Sequence, residues 1–532
     1  MGSGRDKRKK AKPSKPGQGA LKTERKNEKR AEKESRREAK KERAGEGDID
    51  ALLAKFKLTD AATTSVTVIE KTKPPSARVY ASVVPLYASD KEVIFFGGEW
   101  VDPVEDSMYV YADCYIFNAQ TCEWKQIVSP NGPMPRSSHQ SVATRGYMYV
   151  FGGEFTSRDH TKFRHFGDMW RLDMSTYVWE QIMSKGPGTS PSPRSGHRMV
   201  AYKNVLVLFG GFADSGKTTR YFNDVWLFSL DTLLWEEKKV SGSAPSPRGG
   251  CQLALHKDTL FVIGGYSTAK KFASSKDGAG AGQKGQKGKH GDDEDNEKGI
   301  VHDDIFALDL PSWTWQKVKK EGMVPTARSS FGLAVHAPKA KAIMFGGVFD
   351  QDGGGDKLYS ELFNEAYQFN MSSRRWFPLS VRPPKAKGKD KDVEKDASLG
   401  QSLSKDPAVA RAATLIQAAF RGYAVRKAYE TYRVGGKISE LLYSPATYGI
   451  DWDSKELIRP RARSAPSLFV LKNTLWLWGG MVEIGHTDVV LDDLWCLDLG
   501  KLDCWQCMKE NSSGEEAFRE LSDEDDADDA DE

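Results

Sequence analysis

The sequence predicts an all-β chain closed into a six-bladed β-propeller, and three recurring features predict it. An apolar run ending in a glycine pair occurs six times, at Gly97-Gly98, Gly152-Gly153, Gly210-Gly211, Gly264-Gly265, Gly346-Gly347 and Gly479-Gly480. After each pair come a variable loop and an acid that leads an aromatic-rich run, as in Asp168-Met-Trp-Arg-Leu-Asp173, and a tryptophan stands six or seven residues beyond each run, at Trp124, Trp179, Trp235, Trp315, Trp376 and Trp505. An arginine opens each unit, at Arg78, Arg136, Arg194, Arg248, Arg328 and Arg463. Self-similarity at such a period marks a repeat architecture.

Each unit holds four short β-prone runs separated by turn residues, which predicts a four-stranded antiparallel sheet, strands a to d from inside out. A lone sheet of this kind cannot bury both faces. Six stacked radially cover one another and close a ring, which removes the exposed edges. The glycine pair ends strand b where a side chain would crowd the neighbouring blade, and the strand d tryptophan supplies apolar area between blades.

Taken in order, residues 1–47 are a basic tail with almost no apolar side chains, a composition that predicts disorder. Residues 1–48 hold 18 Lys/Arg against 9 Asp/Glu, whereas 515–532 hold 11 acids against one Arg, so the overall net charge of +4 conceals two oppositely charged ends. Residues 48–75 predict a short helix, with Asp48 as its cap and Ile49, Leu52, Leu53 and Phe56 on one side. A d-type strand from Val66 to Ile69 follows, expected at ring closure in competition with or beside the Trp505 strand. The propeller is expected over 76–508 and a disordered acidic tail over 509–532. Glycine-pair spacings of 55, 58, 54, 82 and 133 residues reveal two insertions. One, 270–299, is Lys/Gly/Ala-rich and then acidic, and its composition predicts disorder. The other, 381–460, is a Lys-rich linker that leads into a helix-favouring segment.

The glycine pairs, the aromatic run with its trailing Asp or Asn, the spaced tryptophan and the Pro-x-x-Arg together resemble kelch repeats, over about residues 76 to 508. The Lys-rich start, the Asp48–Phe56 segment and the loop order more narrowly resemble the kelch-domain-containing proteins. That resemblance implies a galactose oxidase-like propeller without established catalysis, acting through protein partners. It also brings in two rival readings. Many kelch proteins are ubiquitin-ligase substrate adaptors, but these carry a BTB domain and none is visible here; kelch-bladed copper oxidases exist, but no ligand set of His and Tyr can be assembled.

Strand direction alternates within a blade. The b–c loops and the d–a links therefore leave one end of the ring, and the a–b and c–d turns leave the other. The long loops all fall on the first end, which predicts it as the partner-binding face, with Trp100, Phe155, Arg158, Phe163, Arg164, Arg220, Tyr221, Phe349 and Tyr359 as candidate contacts. About half of these rings are expected merely to pack the loop bases. Within the second insertion, Ile416, Gln417, Phe420, Arg421, Gly422 and Arg426 fill an I-Q-x-x-x-R-G-x-x-x-R pattern resembling the IQ motif. The resemblance implies a basic amphipathic helix that binds calmodulin or a calmodulin-like light chain.

Several other motifs are discounted. Gly211 to Thr218 fits G-x-x-x-x-G-K-T, but that chemistry needs a helix to follow, and the residues from Arg220 onward read as strand c. Asp350, Asp352, Gly355 and Glu361 mimic a calcium loop without flanking helices. Cys504-x-x-Cys507 lacks a second pair for zinc. His139 and His197 stand at one phase of the repeat, a structural position. No catalytic residue, metal or cofactor is therefore expected, and the chain reads as a non-enzyme. With no run of roughly 18 apolar residues, no membrane span is expected. The six cysteines predict free thiols in a reducing compartment, hence a cytoplasmic or nuclear location. Lys7-Arg-Lys-Lys10 resembles an import signal and equally allows contact with nucleic acid.

Overall fold

The computed structural model describes residues 65–87, 89–105, 107–183, 189–215, 218–270, 297–352, 358–381, 459–484 and 487–512. Six antiparallel sheets follow one another along the chain. Strands a to d of blade 1 are Ser82–Pro85, Glu92–Phe96, Cys114–Asn118 and Glu123–Val128; those of blade 2 are Gln140–Thr144, Tyr147–Phe151, Met169–Asp173 and Trp179–Ile182. Blade 3 uses Arg198–Tyr202, Val205–Phe209, Val225–Ser229 and Trp235–Glu237, and blade 4 uses Gln252–His256, Thr259–Ile263, Ile305–Asp309 and Thr314–Val318. Blade 5 is Gly332–His336, Lys341–Phe345, Ala366–Asn370 and Arg375–Pro378, and blade 6 is Ser467–Leu471, Thr474–Ile484, Thr487–Asp498 and Gln506–Lys509.

The strand d tryptophans pack between blades as the repeat requires. Trp179 lies 5.1 Å from Phe96 of blade 1, Trp235 lies 5.0 Å from Phe151 of blade 2, and Trp505 lies 5.6 Å from Phe345 of blade 5. The glycine pairs have positive φ in every blade. At Gly152, a Cβ would stand 2.6 Å from the Arg194 carbonyl oxygen and 2.8 Å from the His197 ring, so the position excludes any side chain.

Each repeat arginine is buried and holds its own blade together. Arg136 donates from Nη1 and Nη2 to Asp168 at 2.8 and 3.0 Å, from Nη1 to the Gly152 carbonyl at 2.9 Å, and from Nε to the Met134 carbonyl at 3.1 Å. The same fork recurs from Arg78 to Asp113, Arg194 to Asp224, Arg248 to Asp304 and Arg463 to Asp493, while Arg328 reaches Glu365 through Nη2 alone. A planar guanidinium serves a carboxylate and a carbonyl at once, which Lys cannot. It thereby ties the entry to strand a to the end of b and the start of c.

The strand expected at Val66 to Ile69 forms at Thr67–Thr72, but not beside Trp505. It pairs antiparallel with Glu123–Val128, as a fifth strand on the outer edge of blade 1, with Thr67 opposite Val128. The first and last blades therefore each draw all four of their own strands from one end of the chain, and packing closes the ring. Phe95 and Phe117 of blade 1 meet Trp478 and Trp476 of blade 6 at 5.3 and 5.1 Å.

Candidate functional site

The b–c connections, read from sequence as loops, are β-hairpins that continue each blade beyond its glycine pair. They pair Glu99–Val101 with Met108–Val110, Glu154–Thr156 with Phe163–His165, and Phe212–Asp214 with Thr219–Tyr221. Tyr266–Lys270 pairs with Glu297–Val301, Val348–Asp352 pairs with Leu358–Leu362, and in blade 6 strands b and c run straight on. The segment read as a single strand c from Arg220 is thus two elements, the hairpin arm Thr219–Tyr221 and the strand Val225–Ser229. Among the described residues a strand and not a helix follows Gly211, so the P-loop reading has no support, and Asp350, Asp352 and Glu361 of the calcium-like set sit on a hairpin in the same way.

The candidate face residues divide into those that pack and those that present. Phe155 is buried with Met134 and Phe166, so it anchors its hairpin and is unavailable to a partner. Trp100 is half-buried against Tyr109 at 5.4 Å, and Arg158 of the next blade lies 4.9 Å over that same tyrosine while bonding Glu105 at 3.0 Å. Phe163 is exposed and edges His165 at 5.2 Å; Arg164 and Arg220 lie over Phe166 and Phe222. Tyr221 stands 6.0 Å from Phe212. Blades 1 to 3 therefore carry a continuous run of rings and guanidinium groups, while Phe349 and Tyr359 stand apart on the hairpin of blade 5. Ile416, Gln417, Phe420, Arg421, Gly422 and Arg426, like the Asp48 helix and both charged tails, lie outside the described residues.

The sequence reading missed a polar mouth at the centre of this face. Two residues after each repeat arginine the backbone turns left-handed, at Tyr80, Ser138, Gly196, Gly250, Ser330 and Ala465. These residues ring the axis: the Ser138 N–H donates to the Tyr80 carbonyl at 3.1 Å, Gly196 to Ser138 at 3.0 Å and Gly250 to Gly196 at 2.8 Å. Just above them is the residue after each glycine pair, which is Glu99 and Glu154 in blades 1 and 2 but Phe212, Tyr266, Val348 and Met481 in blades 3 to 6. The mouth is thus acidic at two adjacent blades and carries aromatic or aliphatic side chains at the other four. A comparison of this one repeat position across the six units would have shown it.

Glu99 accepts the Ser137 hydroxyl at 2.5 Å, and no cation pairs with it among the described residues; burial pushes its carboxyl up. Glu154 is pushed up to about 7, by burial and by the Glu99 charge. His165 stands 3.5 Å from Glu154, but it does not neutralise it. Its Nε2 accepts the Asp214 backbone N–H at 2.8 Å, which fixes the neutral tautomer, and burial lowers its pKa as well. Tyr80 retains 38% exposure at this mouth. Burial and the charges of Glu99, Glu154 and Asp488 all push its pKa upward.

His139 and His197 are structural, as their repeat phase indicated. Both are buried, with His139 Nε2 2.8 Å from the Ser82 hydroxyl, and burial drives both pKa values down. The described cysteines are all unpaired. At the opposite end of the ring the short turns are joined by exposed ion pairs, Arg145 to Asp231 at 2.8 Å, Lys203 to Asp258 at 3.1 Å and Lys472 to Asp90 at 2.7 Å. Among the described residues, no helix is long and apolar enough to cross a membrane.

Six radial sheets with this hairpin crown define a six-bladed β-propeller. Comparison with known proteins places the repeats: the family model for the KLHDC2/KLHL20/DRC7 Kelch-repeats domain matches residues 43–265, and that for the IQ calmodulin-binding motif matches 410–430. The chain is thus a six-bladed β-propeller with a kelch-repeat match over residues 43–265 and an IQ-motif match over 410–430. It is 26% identical over 252 residues to acyl-CoA-binding domain-containing protein 4 of Arabidopsis thaliana, across 46% of this chain and 30% of that protein. It is 29% identical over 248 residues to mouse kelch domain-containing protein 1, across 45% of this chain and 55% of the relative. Against the flagellar outer-arm dynein alpha chain of Chlamydomonas reinhardtii it is 26% identical, across 47% of this chain and 5% of that one. The chain thus spans from a small fraction to about half of the length of these relatives.

Proposed function

We propose that the chain is a non-catalytic scaffold whose hairpin crown takes a protein partner and whose IQ segment takes calmodulin or a related light chain. The crown carries this reading. All the long projections lie on one end of a rigid ring, and on blades 1 to 3 they present Phe163, Tyr221, Trp100 and Arg158 within one patch, the residue types that anchor protein interfaces. The opposite end offers only short turns tied by exposed ion pairs of small energetic value. Replacing Phe163, Arg164 and Tyr221 together with Ala abolishes partner recovery from cell extract and leaves the melting temperature almost unchanged, whereas Arg145→Ala with Lys203→Ala leaves recovery intact. The reverse pattern would assign binding to the turn end. The IQ segment supports regulation by a light chain, because an extended insertion between blades 5 and 6 leaves from the crown end, where a bound light chain would stand beside the partner.

A further inference from the structure

We propose that the axial throat beneath the mouth binds one small inorganic anion, held by the Arg198 guanidinium of blade 3 and the Tyr80 hydroxyl of blade 1. The site lies below the hairpin crown and does not depend on what the crown binds.

The first observation is a cation without a counter-charge. Strand a is the innermost strand of each blade, and it begins with Ser82, Gln140, Arg198, Gln252, Gly332 or Ser467, so that blade 3 alone places a charge at this phase. Arg198 donates from Nε to Gln252 Oε1 at 3.2 Å and from Nη1 to the His197 carbonyl at 3.1 Å, and both acceptors are neutral. No carboxylate pairs with it among the described residues. The ionisable groups near enough to act on it are Cys251 and Tyr80, and burial pushes the pKa of each upward, so neither carries a charge at neutral pH. Glu99 and Glu154 act on Tyr80 but not on Arg198, so they do not supply the missing charge. A carboxylate so placed could take up a proton and lose its charge, but a guanidinium keeps its own. Arg198 is only partly buried, so an ion from solution can reach it and offset that charge.

The second observation is the residue that converges on it. At the left-handed position filled by Ser138, Gly196, Gly250, Ser330 and Ala465 in the other blades, blade 1 carries Tyr80 at φ 55. A bulky side chain is strained there, and strain of this kind is kept where a ligand is clamped. The phenol stays protonated and part-exposed, so its O–H is available to an anion that Arg198 holds from the other side. The third observation is size. Backbone bonds join the ring directly from Tyr80 through Ser138 and Gly196 to Gly250, and again where the Ala465 N–H donates to the Ser330 carbonyl at 2.6 Å. Neighbours so bonded stand about 5 Å apart, which sets the axis of a six-membered ring about 5 Å from each Cα. Such an opening admits an inorganic anion but not a folded chain or a bulky phosphorylated headgroup.

Equilibrium dialysis of the full chain against labelled inorganic phosphate tests the site, at constant ionic strength with sodium gluconate as the balancing salt, an anion too bulky for the ring. One saturable site per chain is expected, from which unlabelled sulfate displaces the label. Arg198→Gln should weaken uptake at least about tenfold, and Tyr80→Phe, which keeps the ring and removes only the hydroxyl, about threefold. The second variant keeps the test independent of how the first one folds. Thermal unfolding gives a separate readout: about 50 mM phosphate in place of gluconate should raise the melting temperature of the unaltered chain and leave that of Arg198→Gln almost unchanged. No saturable uptake by the unaltered chain would overturn the proposal. So would uptake that is equal in the unaltered chain and both variants, as adsorption to exposed basic residues would give, or phosphate that raises all the melting temperatures alike.

Discussion

Removing one repeat arginine, Arg136→Met, should destabilise the propeller more than removing the ion pair as a whole. The Arg136 side chain is 0% exposed, makes four hydrogen bonds and lies 4.3 Å over the Phe166 ring. Methionine fills most of its volume but leaves the carbonyls of Met134 and Gly152 without a donor, and Asp168 with only the Trp170 indole at 2.7 Å. Breaking a buried pair from one side costs about 3–5 kcal/mol. The Asp168 side chain is 23% exposed, so water relieves part of this, and the expected loss is about 3 kcal/mol. Adding Asp168→Asn should restore roughly 1–2 kcal/mol, because no charge is then stranded. The effect also has a pH signature. Burial opposes ionisation of Asp168, but the Arg136 charge and hydrogen bonds outweigh it and hold the carboxyl below the usual range. A depressed pKa contributes stability above the unfolded value near roughly 3.9, and that stability is lost as pH falls through the folded one. The gap between wild type and Arg136→Met should therefore narrow below about pH 4. Urea unfolding followed by tryptophan fluorescence measures both effects. A loss under about 1 kcal/mol, or a double variant no better than the single one, would refute the reasoning.

Gly152→Ala places a methyl within 2.6 Å of the Arg194 carbonyl oxygen at φ +65 and should cost at least about 2 kcal/mol in the same assay. Trp179→Ala opens the seam between blades 1 and 2 and should cost about 3–5 kcal/mol, with earlier unfolding seen by hydrogen exchange in strand b of blade 1. Glu154 runs in the opposite direction to Asp168. Its folded pKa is raised to about 7, by burial and by Glu99, so the folded state holds a proton that the unfolded chain has already lost; stability falls as pH rises from about 4.5 to 7, and Glu154→Gln should flatten that slope. The groups facing it are Glu99, His165, Asp214, Ser138 and Ser195. A peptide of residues 408–432 should bind calmodulin by titration calorimetry, and Ile416→Ala with Gln417→Ala should weaken it at least about tenfold, or about 1.4 kcal/mol.

The propeller was legible because its determinants are local and repeated six times. Glycine pairs with positive φ and tryptophans between blades leave the same mark in every unit. The arginine and the acid left such a mark too, but as two separate repeats; only the fold shows that Arg136 reaches Asp168, 32 positions on, since a hairpin of variable length lies between them. Ring closure was not legible, because Val66 to Ile69 has the pattern of any outer strand, and its partner is chosen by three-dimensional proximity to Glu123–Val128. The hairpin crown was taken for loops because its arms are three to five residues long, too short for an alternating pattern to declare itself. The acidic mouth escaped for a different reason. Glu99 and Glu154 are unremarkable charges in a chain with 74 acids, and they acquire meaning only when neighbouring blades bring them together, so that the charge of one raises the pKa of the other. Phe155 likewise reads as a face residue by position but turns inward, onto Met134 and Phe166.

The hairpin end of the ring is the proposed partner-binding surface. Amide hydrogen exchange of the chain with and without its recovered partner tests it most directly. Protection should appear on the hairpins of blades 1 to 3, at 99–110, 154–165 and 212–221, with the turns at Arg145-Gly146, Lys203-Asn204 and Lys472-Asn473 unchanged. Protection confined to those turns, with the hairpins exchanging as in the free chain, would contradict it.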